Sequence, residues 1–174
     1  MPDEVRYPIG EFHFVEPTVD LRRSLIRQFK KDPAELRKAV AGLSEKRLLT
    51  RYRDGGWTLA QVVHHIAESD ANAYPRLKYA LTEDSPVVMV APQALWAEVA
   101  DARSPAIELS LGMFESIRLR WAEAWESMAA EQYDRKWRHA RFGEVGLDFL
   151  LQQYAWHSRH HTAQITSCRK RMGW

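Results

Sequence analysis

Apolar residues recur at spacings of three and four along most of the chain, and this period constrains the fold more than any other sequence feature. Such a period places apolar side chains on one face of a helix, which must then be buried against a neighbouring element. The pattern covers four long segments, which run from about 19 to 43, 58 to 82, 104 to 128 and 147 to 171. It predicts an all-α fold, a four-helix bundle with a long crossover between the second and third long helices.

Capping residues and prolines indicate where these helices begin, bend and end. Thr58 and Gln61 have the spacing of a capping box, and Gly173 follows a basic last turn. The Asp32-Pro33 pair predicts a kink or a restart, so the first segment is either one bent helix or two short ones. Pro75 is expected to kink the second helix. Ser104-Pro105 is expected to begin the third.

The segments outside the four helices lack a sustained helical period. Residues 1–17 are expected to form an extended N-terminal arm of a single domain that spans 1–174. A short helix is predicted around Gln93–Val99, within a crossover long enough to pack across a face or an end of the bundle and to border a site. Strand character is indicated only between Lys136 and Val145.

Composition argues against several classes of protein. The 174 residues are 45% hydrophobic and 28% charged, which is typical of one globular domain that can bury its own core. The formal net charge is only +2, so a nucleic-acid partner is not expected. The single cysteine, Cys168, and the absence of a signal-like N-terminus or a long apolar run predict a cytoplasmic protein that does not enter a membrane.

Histidine placement is the feature that points to chemistry. Five of the seven histidines fall in two clusters, His64-His65 in the second long helix and His157, His160 and His161 in the last. His157 and His161 are four residues apart, so on a helix both imidazoles can reach one ion. Three histidines with one open position form a known catalytic zinc arrangement. The alternative is that these are core histidines that bond backbone or glutamine partners.

Periodicity alone does not fully choose among the neighbouring histidines. His65 lies between Val62 and Ile66 on the apolar stripe, whereas His64 aligns with small residues, so the period slightly favours His65. His160 is three residues from His157 and is not excluded by spacing, although its helical neighbours Gln153 and Gln164 are polar.

Several motifs in this sequence resemble those of the YfiT branch of the DinB-like bundle proteins, and together they span nearly the whole chain. These motifs are Tyr7–Gly10, Tyr52–Thr58, Gln61–Ser69, Leu81–Glu83, Trp156–Thr166 and Arg171–Trp174. The resemblance implies a four-helix bundle that binds one divalent metal per chain, zinc or nickel, through three histidines and water. It implies a metal-dependent hydrolase, although related bacterial proteins transfer low-molecular-weight thiols such as bacillithiol or mycothiol.

The motif positions of that family assign the metal ligands to His65, His157 and His161. Asp70 departs from some relatives, which continue with another histidine there, and residues 140–147 differ in length and polarity. These departures bear on the substrate rather than on the metal. The resemblance also supports a homodimer, which the apolar content of the third helix favours.

The sequence leaves three hypotheses about function open. The first is hydrolysis of a small-molecule substrate by a metal-bound water, with Glu68, Asp70 and Tyr154 as the nearby candidates for a catalytic side chain. The second is thiol transfer on the same ion, because coordination also deprotonates sulfur. The third is a metal-binding or ligand-binding module without turnover. Cys168 is expected to be a packed core residue rather than a nucleophile.

Overall fold

The computed structural model describes residues 3–174, and most of them are helical. Four long helices form the bundle, and three short helices lie in the arm and the connections. The α-helices are α1 (Asp3–Arg6), α2 (Val19–Val40), α3 (Glu45–Leu48), α4 (Leu59–Thr82), α5 (Gln93–Trp96), α6 (Glu108–Glu126) and α7 (Leu147–Met172). The strands are β1 (Val87–Val88), β2 (Lys136–His139) and β3 (Gly143–Gly146), with a 3₁₀ helix at Ala130–Asp134. The predicted four-helix bundle with a long crossover is confirmed.

The core of the bundle consists of two apolar clusters, one in each half. One cluster centres on Phe29, Trp121 and Trp125, which are almost fully buried. The other is built mainly from aliphatic residues of α2 and α4. Burying one large apolar side chain contributes about 1.5–3 kcal/mol, so these clusters supply most of the drive to pack the helices. Both α6 and α7 pack against α2 and α4.

The predicted ends of α4 and α7 are confirmed. The Thr58 hydroxyl accepts from the Gln61 backbone N–H at 3.1 Å, and the Gln61 side-chain oxygen accepts from the Thr58 N–H at 2.9 Å. Gly173 ends α7 with φ of 69°, a conformation that glycine adopts without steric cost.

Of the two alternatives at Asp32-Pro33, the structure shows one helix and not two short ones. Helix α2 runs unbroken from Val19 to Val40 with Pro33 inside it, just as α4 continues through Pro75. Asp32 does not cap a helix. Its carboxylate is buried and accepts from the Arg118 guanidinium at 3.0 Å, so a tertiary ion pair replaces the local cap.

The predicted start of the third long helix at Ser104-Pro105 is also wrong, because α6 begins at Glu108. The Ser104 carbonyl oxygen lies 2.9 Å from His64 Nε2, and the Ser104 hydroxyl accepts from the Ala106 N–H at 3.1 Å. These bonds make the segment part of the crossover, and the helix begins only after it.

A small sheet covers one side of the bundle. In the crossover, β1 pairs in parallel with β2, and β2 pairs with β3 in antiparallel register. The strand character expected between Lys136 and Val145 is therefore confirmed. The N-terminal arm, predicted to be extended, includes the helix α1, and Val15 bonds the Gln152 side chain through both its N–H and its carbonyl, at 3.0 and 2.9 Å. In the part of the chain described, no helix has both the length and the apolar character to cross a membrane.

Candidate metal centre

Three histidines from two helices meet inside the bundle. His65 comes from α4, and His157 and His161 come from successive turns of α7. One ring nitrogen from each lies within 4.8 Å of the other two, and Nε2 of His65 is 3.1 Å from Nε2 of His157. Among the described residues, the structure therefore brings together the three histidines that the motifs indicate.

The spacing and protonation of the three rings fit a divalent ion. Metal–nitrogen bonds of about 2.0–2.1 Å in a tetrahedral site separate two ligand nitrogens by roughly 3.3 Å, close to the 3.1 Å between His65 and His157, and all three nitrogens lie within 4.8 Å of one another. Burial lowers the pKa of His65 to about 3 and the pKa values of His157 and His161 well below the usual range, with neighbouring histidines adding to the effect. The neutral imidazoles that result are the ligating form.

Gln164 orients one of these rings. Its side-chain oxygen lies 2.8 Å from Nδ1 of His161, so Nδ1 carries the hydrogen and Nε2 presents its lone pair. The Gln164 amide nitrogen donates to the Arg6 carbonyl at 2.8 Å and lies 3.0 Å from Nε2 of His160. Partners of this kind fix the ring and tautomer of a metal ligand.

The two other clustered histidines have different contacts. His64 is 2.7 Å from the Ser110 hydroxyl and 2.9 Å from the Ser104 carbonyl, so one ring nitrogen bonds the first turn of α6 and the other bonds the segment before it. His160 stacks on Trp156 with ring centroids 4.5 Å apart and is buried, in contrast to the polar position that its sequence neighbours indicated. His64 and His160 therefore lie outside the three-histidine cluster.

Trp57 covers one side of the cluster. Its ring centroid lies 4.6 Å from that of His65 and 6.2 Å from that of His161. The turn before it needs glycine, because Gly55 has φ of 65° and a Cβ on Gly56 would come within 2.7 Å of Arg53. The adjacent glycines that break the helical pattern thus place an indole against the candidate ligands.

A pocket of about 320 Å³ opens beside His157, which is the partly exposed member of the three. Its walls come from α4, the crossover, the β2–β3 connection and α7. The lining residues are Ser69, Val90, Ala91, Gln93, His139, Ala140, Arg141, Phe142, Gln153, Tyr154 and His157. Residues of the crossover therefore line this pocket, and it stays a prediction that the pocket is a functional site.

The candidate catalytic side chains have different positions. Tyr154 lines the pocket, and burial raises the pKa of its phenol, so it stays protonated near neutral pH. Glu68 is half-buried on α4, where burial and Asp101 raise the pKa of its carboxyl, and it does not line this pocket. Asp70 is fully buried and binds Arg118 through both carboxylate oxygens. Of the three, only Tyr154 can touch a molecule bound in the pocket.

Cys168 is buried among aliphatic residues of α2 and α4, as expected of a core residue. Burial raises the pKa of its thiol, which disfavours the nucleophilic thiolate.

Sequence reasoning missed the polar residues behind the site, Arg118, Asp32 and Arg76. Arg118 lies in the apolar stripe of α6, between Phe114 and Trp121, and a charge inside such a stripe is the signal that could have identified it. Nothing local to Asp32 or Arg76 indicates which partners they meet.

The fold and the cluster define a class, the four-helix bundles with three histidines gathered between two of the long helices. The chain belongs to the DinB superfamily, whose family model matches residues 28–165, and it is a YfiT-like member. Relatives from Bacillus cereus and Bacillus anthracis, each named "Putative metal-dependent hydrolase", are 42% identical over 173 residues and covered over 99% of both chains.

A solved structure extends the similarity to three dimensions. YfiT from Bacillus subtilis, described as a probable metal-dependent hydrolase with an unusual four-helix bundle topology, is 35% identical and superimposes with a TM-score of 0.95. The match covers 98% of this chain and 99% of that one, so the arm, the crossover and the small sheet fall within it.

Proposed function

We propose that this protein is a metal-dependent hydrolase of a small molecule, in which His65, His157 and His161 hold one divalent ion, zinc or nickel. The observation that carries the proposal is the convergence of three neutral imidazoles within 4.8 Å, at the wall of a pocket. The names of the relatives support the same chemistry.

The ion would supply Lewis acidity and lower the pKa of water from 15.7 toward about 7, which makes a nucleophile available near neutral pH. The protein's part is to hold three neutral nitrogens, with Gln164 fixing the His161 ring. Trp57 shields His65 and His161 on one side, so a substrate reaches the site from the side of His157.

Tyr154 is the side chain best placed to assist. Its phenol oxygen accepts from Arg76 at 3.4 Å, so the phenol hydrogen is not used in that bond and can donate to the neighbouring Ser69 or to a bound molecule. Because burial keeps the phenol protonated, Tyr154 acts as a hydrogen-bond donor to charge that develops on the substrate, not as a base. Asp70 is committed to Arg118 and contributes by positioning the helices.

Metal content of histidine variants tests the ligand assignment. His65→Ala, His157→Ala and His161→Ala are each expected to lose the metal in elemental analysis, while the wild type carries close to one ion per chain. His64→Ala and His160→Ala are the matched controls, since each removes a neighbouring imidazole, and they are expected to retain it. Full metal retention in the His161 variant would refute the assignment.

Turnover tests the reaction. Activated esters and amides are expected to be hydrolysed by metal-loaded protein without added thiol, with a rate that rises through a single pKa near neutrality. Conjugation of a small thiol to a haloarene, with no thiol-independent hydrolysis, would instead indicate the transferase. A fully loaded protein that shows neither activity would indicate a binding module.

A further inference from the structure

The pocket beside His157 is lined by basic and neutral residues. Its eleven lining residues include one charged side chain, that of Arg141, and no aspartate or glutamate. The exposed Arg141 has no carboxylate within 4.0 Å in the described part of the chain. A concave site with one sign of charge concentrates ligands of the opposite sign.

A second cation lies directly behind this wall. Arg76 is only 5% exposed, and it donates to the Tyr154 hydroxyl at 3.4 Å, to Asn72 Oδ1 at 2.7 Å and to the Met89 carbonyl at 3.5 Å. All three partners are neutral, and its buried Nε has no partner among the described residues. A buried charge without a counter-ion is costly, which favours an anion close by.

Two neutral groups of the wall are arranged as donors. Nδ1 of His139 accepts from the backbone N–H groups of Arg141 and Phe142 at 2.9 and 3.3 Å, so the ring hydrogen is on Nε2. The Tyr154 oxygen accepts from Arg76, so its own hydrogen is available. Burial is the largest cause of the lowered pKa of His139, and Arg76 and Arg141 lower it further. This agrees with two cations close to the ring.

We propose that the substrate of the three-histidine site is a small molecule that carries a carboxylate, and that this pocket binds the carboxylate through Arg141, His139 and Tyr154. Arg76 balances the charge from behind the wall. The inference rests on the proposed function for the reaction itself, and it adds the class of substrate.

The dimensions of the pocket fit this assignment. A volume of about 320 Å³ lies at the small end of ligand sites, which run from about 300 to 1,000 Å³. His157 belongs to the same lining as Arg141 and His139. A short substrate can therefore keep its carboxylate on the basic wall while its reacting group reaches the three histidines.

Calorimetric binding of two probes of nearly equal shape tests the inference without using catalysis. Succinate carries two carboxylates, and succinamide replaces both with neutral amides. Metal-loaded wild type is expected to bind succinate at least about tenfold more tightly, because charge-assisted bonds are roughly twice as strong as neutral ones. Arg141→Gln is expected to remove about tenfold of the succinate affinity and to leave succinamide binding unchanged.

Arg138→Gln is the matched control for net charge. Arg138 lies on β2, is exposed and does not line the pocket, so this variant is expected to bind succinate within about twofold of wild type, as a screened surface charge should. Arg76→Gln is also expected to weaken succinate binding. Because Arg76 is buried, circular dichroism should first show that this variant keeps its helix content.

The His161→Ala variant separates the pocket from the ion. It is expected to lose the metal and still prefer succinate, because the carboxylate contacts lie on the basic wall. Equal affinity for both probes, or equal losses in the Arg141 and Arg138 variants, would overturn the inference. The inference would also be overturned if His161→Ala bound succinate and succinamide equally well while Arg141→Gln bound succinate as tightly as wild type does. Metal retained in His161→Ala would refute the proposed function while leaving the carboxylate site intact.

Discussion

At the scale of single residues, Gln164 decides which nitrogen of His161 faces the candidate metal centre. Its side chain bonds three groups at once, His161, His160 and the Arg6 carbonyl of the N-terminal arm. Because these three bonds already fix the Gln164 side chain, it loses its conformational entropy on folding and not on metal binding. Gln164 therefore links the position of the arm to the orientation of a ligand.

Replacing Gln164 with leucine is expected to weaken metal affinity by about 10- to 100-fold, the usual effect of losing such a partner. The His161 ring would be free to rotate and to adopt the other tautomer. Competition with a chromogenic chelator measures the affinity. Gln164→Glu keeps an oxygen that can accept from Nδ1, so it should lose less, and an unchanged affinity in the leucine variant would contradict the role.

The family motifs assigned the three histidines as ligands, but the apolar period could not rank their neighbours by burial. Residues 59–67 of α4 are all buried, so an apolar period carries little contrast there and His64 is as enclosed as His65. What distinguishes His64 is its bond to the Ser104 carbonyl, a contact between segments 40 residues apart. Long-range contacts of this kind leave no local pattern.

At the scale of helices, Arg118 joins all four long helices of the bundle. From α6 it binds Asp70 of α4 through Nε and, at 3.1 Å, through Nη2. It also donates to Asp32 of α2 at 3.0 Å and to the Tyr154 carbonyl of α7 at 2.9 Å. Burial raises the pKa of Asp70 to about 6 and also raises that of Asp32, while Arg118 opposes both shifts.

Replacing Arg118 with methionine is expected to reduce the free energy of unfolding by about 3–5 kcal/mol at pH 7, because two buried carboxylates lose their cation. The pKa values of both acids then rise further in the folded state. An acid with a raised folded-state pKa favours folding below its unfolded pKa of 3.8, and this contribution is lost as pH rises through the folded value. The loss should therefore be smaller at pH 4 than at pH 7.

Urea unfolding of wild type and Arg118→Met at the two pH values measures this difference, and the titration of the histidines largely cancels between them. Adding Asp70→Asn and Asp32→Asn to the methionine variant should recover part of the stability at pH 7. An equal loss at both pH values would show that the arginine acts by packing alone.

The helices themselves were predictable because each long one buries a continuous apolar face. The residues at which the helices begin were harder to predict where a group bonds a distant partner and does not cap a helix. Asp32 in α2 and Ser104 before α6 are the two examples. The short helix α3 has too few residues to show a period.

At the scale of the whole molecule, the homodimer stays a prediction. Leu109 and Leu119 of α6 are 89% and 43% exposed, so this helix keeps apolar side chains outside the bundle. A dimer would bury them, and light scattering at micromolar concentration is expected to give about twice the 20.2 kDa of one chain. A mass of one chain under those conditions would rule the dimer out.

At the same scale, the free energy of unfolding of the metal-free protein should depend on pH. In the metal-free protein, the folded-state pKa values of His65 and His160 are about 3 and 4, below the unfolded value of 6.5. A group with a depressed folded-state pKa contributes stability that is present above its unfolded pKa and is lost as pH falls toward the folded value. At pH 5 the unfolded chain is protonated at these histidines while the folded one is not, which costs up to about 2 kcal/mol for each.

Urea unfolding of chelator-treated protein is therefore expected to show a lower free energy of unfolding at pH 5 than at pH 7.5. His65→Gln removes one of the titrating groups and should flatten the dependence. Metal-loaded wild type should be more stable than the metal-free protein at pH 7.5, because an ion that binds only the folded state adds stability by mass action. Stability that is constant from pH 7.5 to 5 in the metal-free protein would contradict the prediction, because it would mean that folding does not lower the pKa values of these histidines.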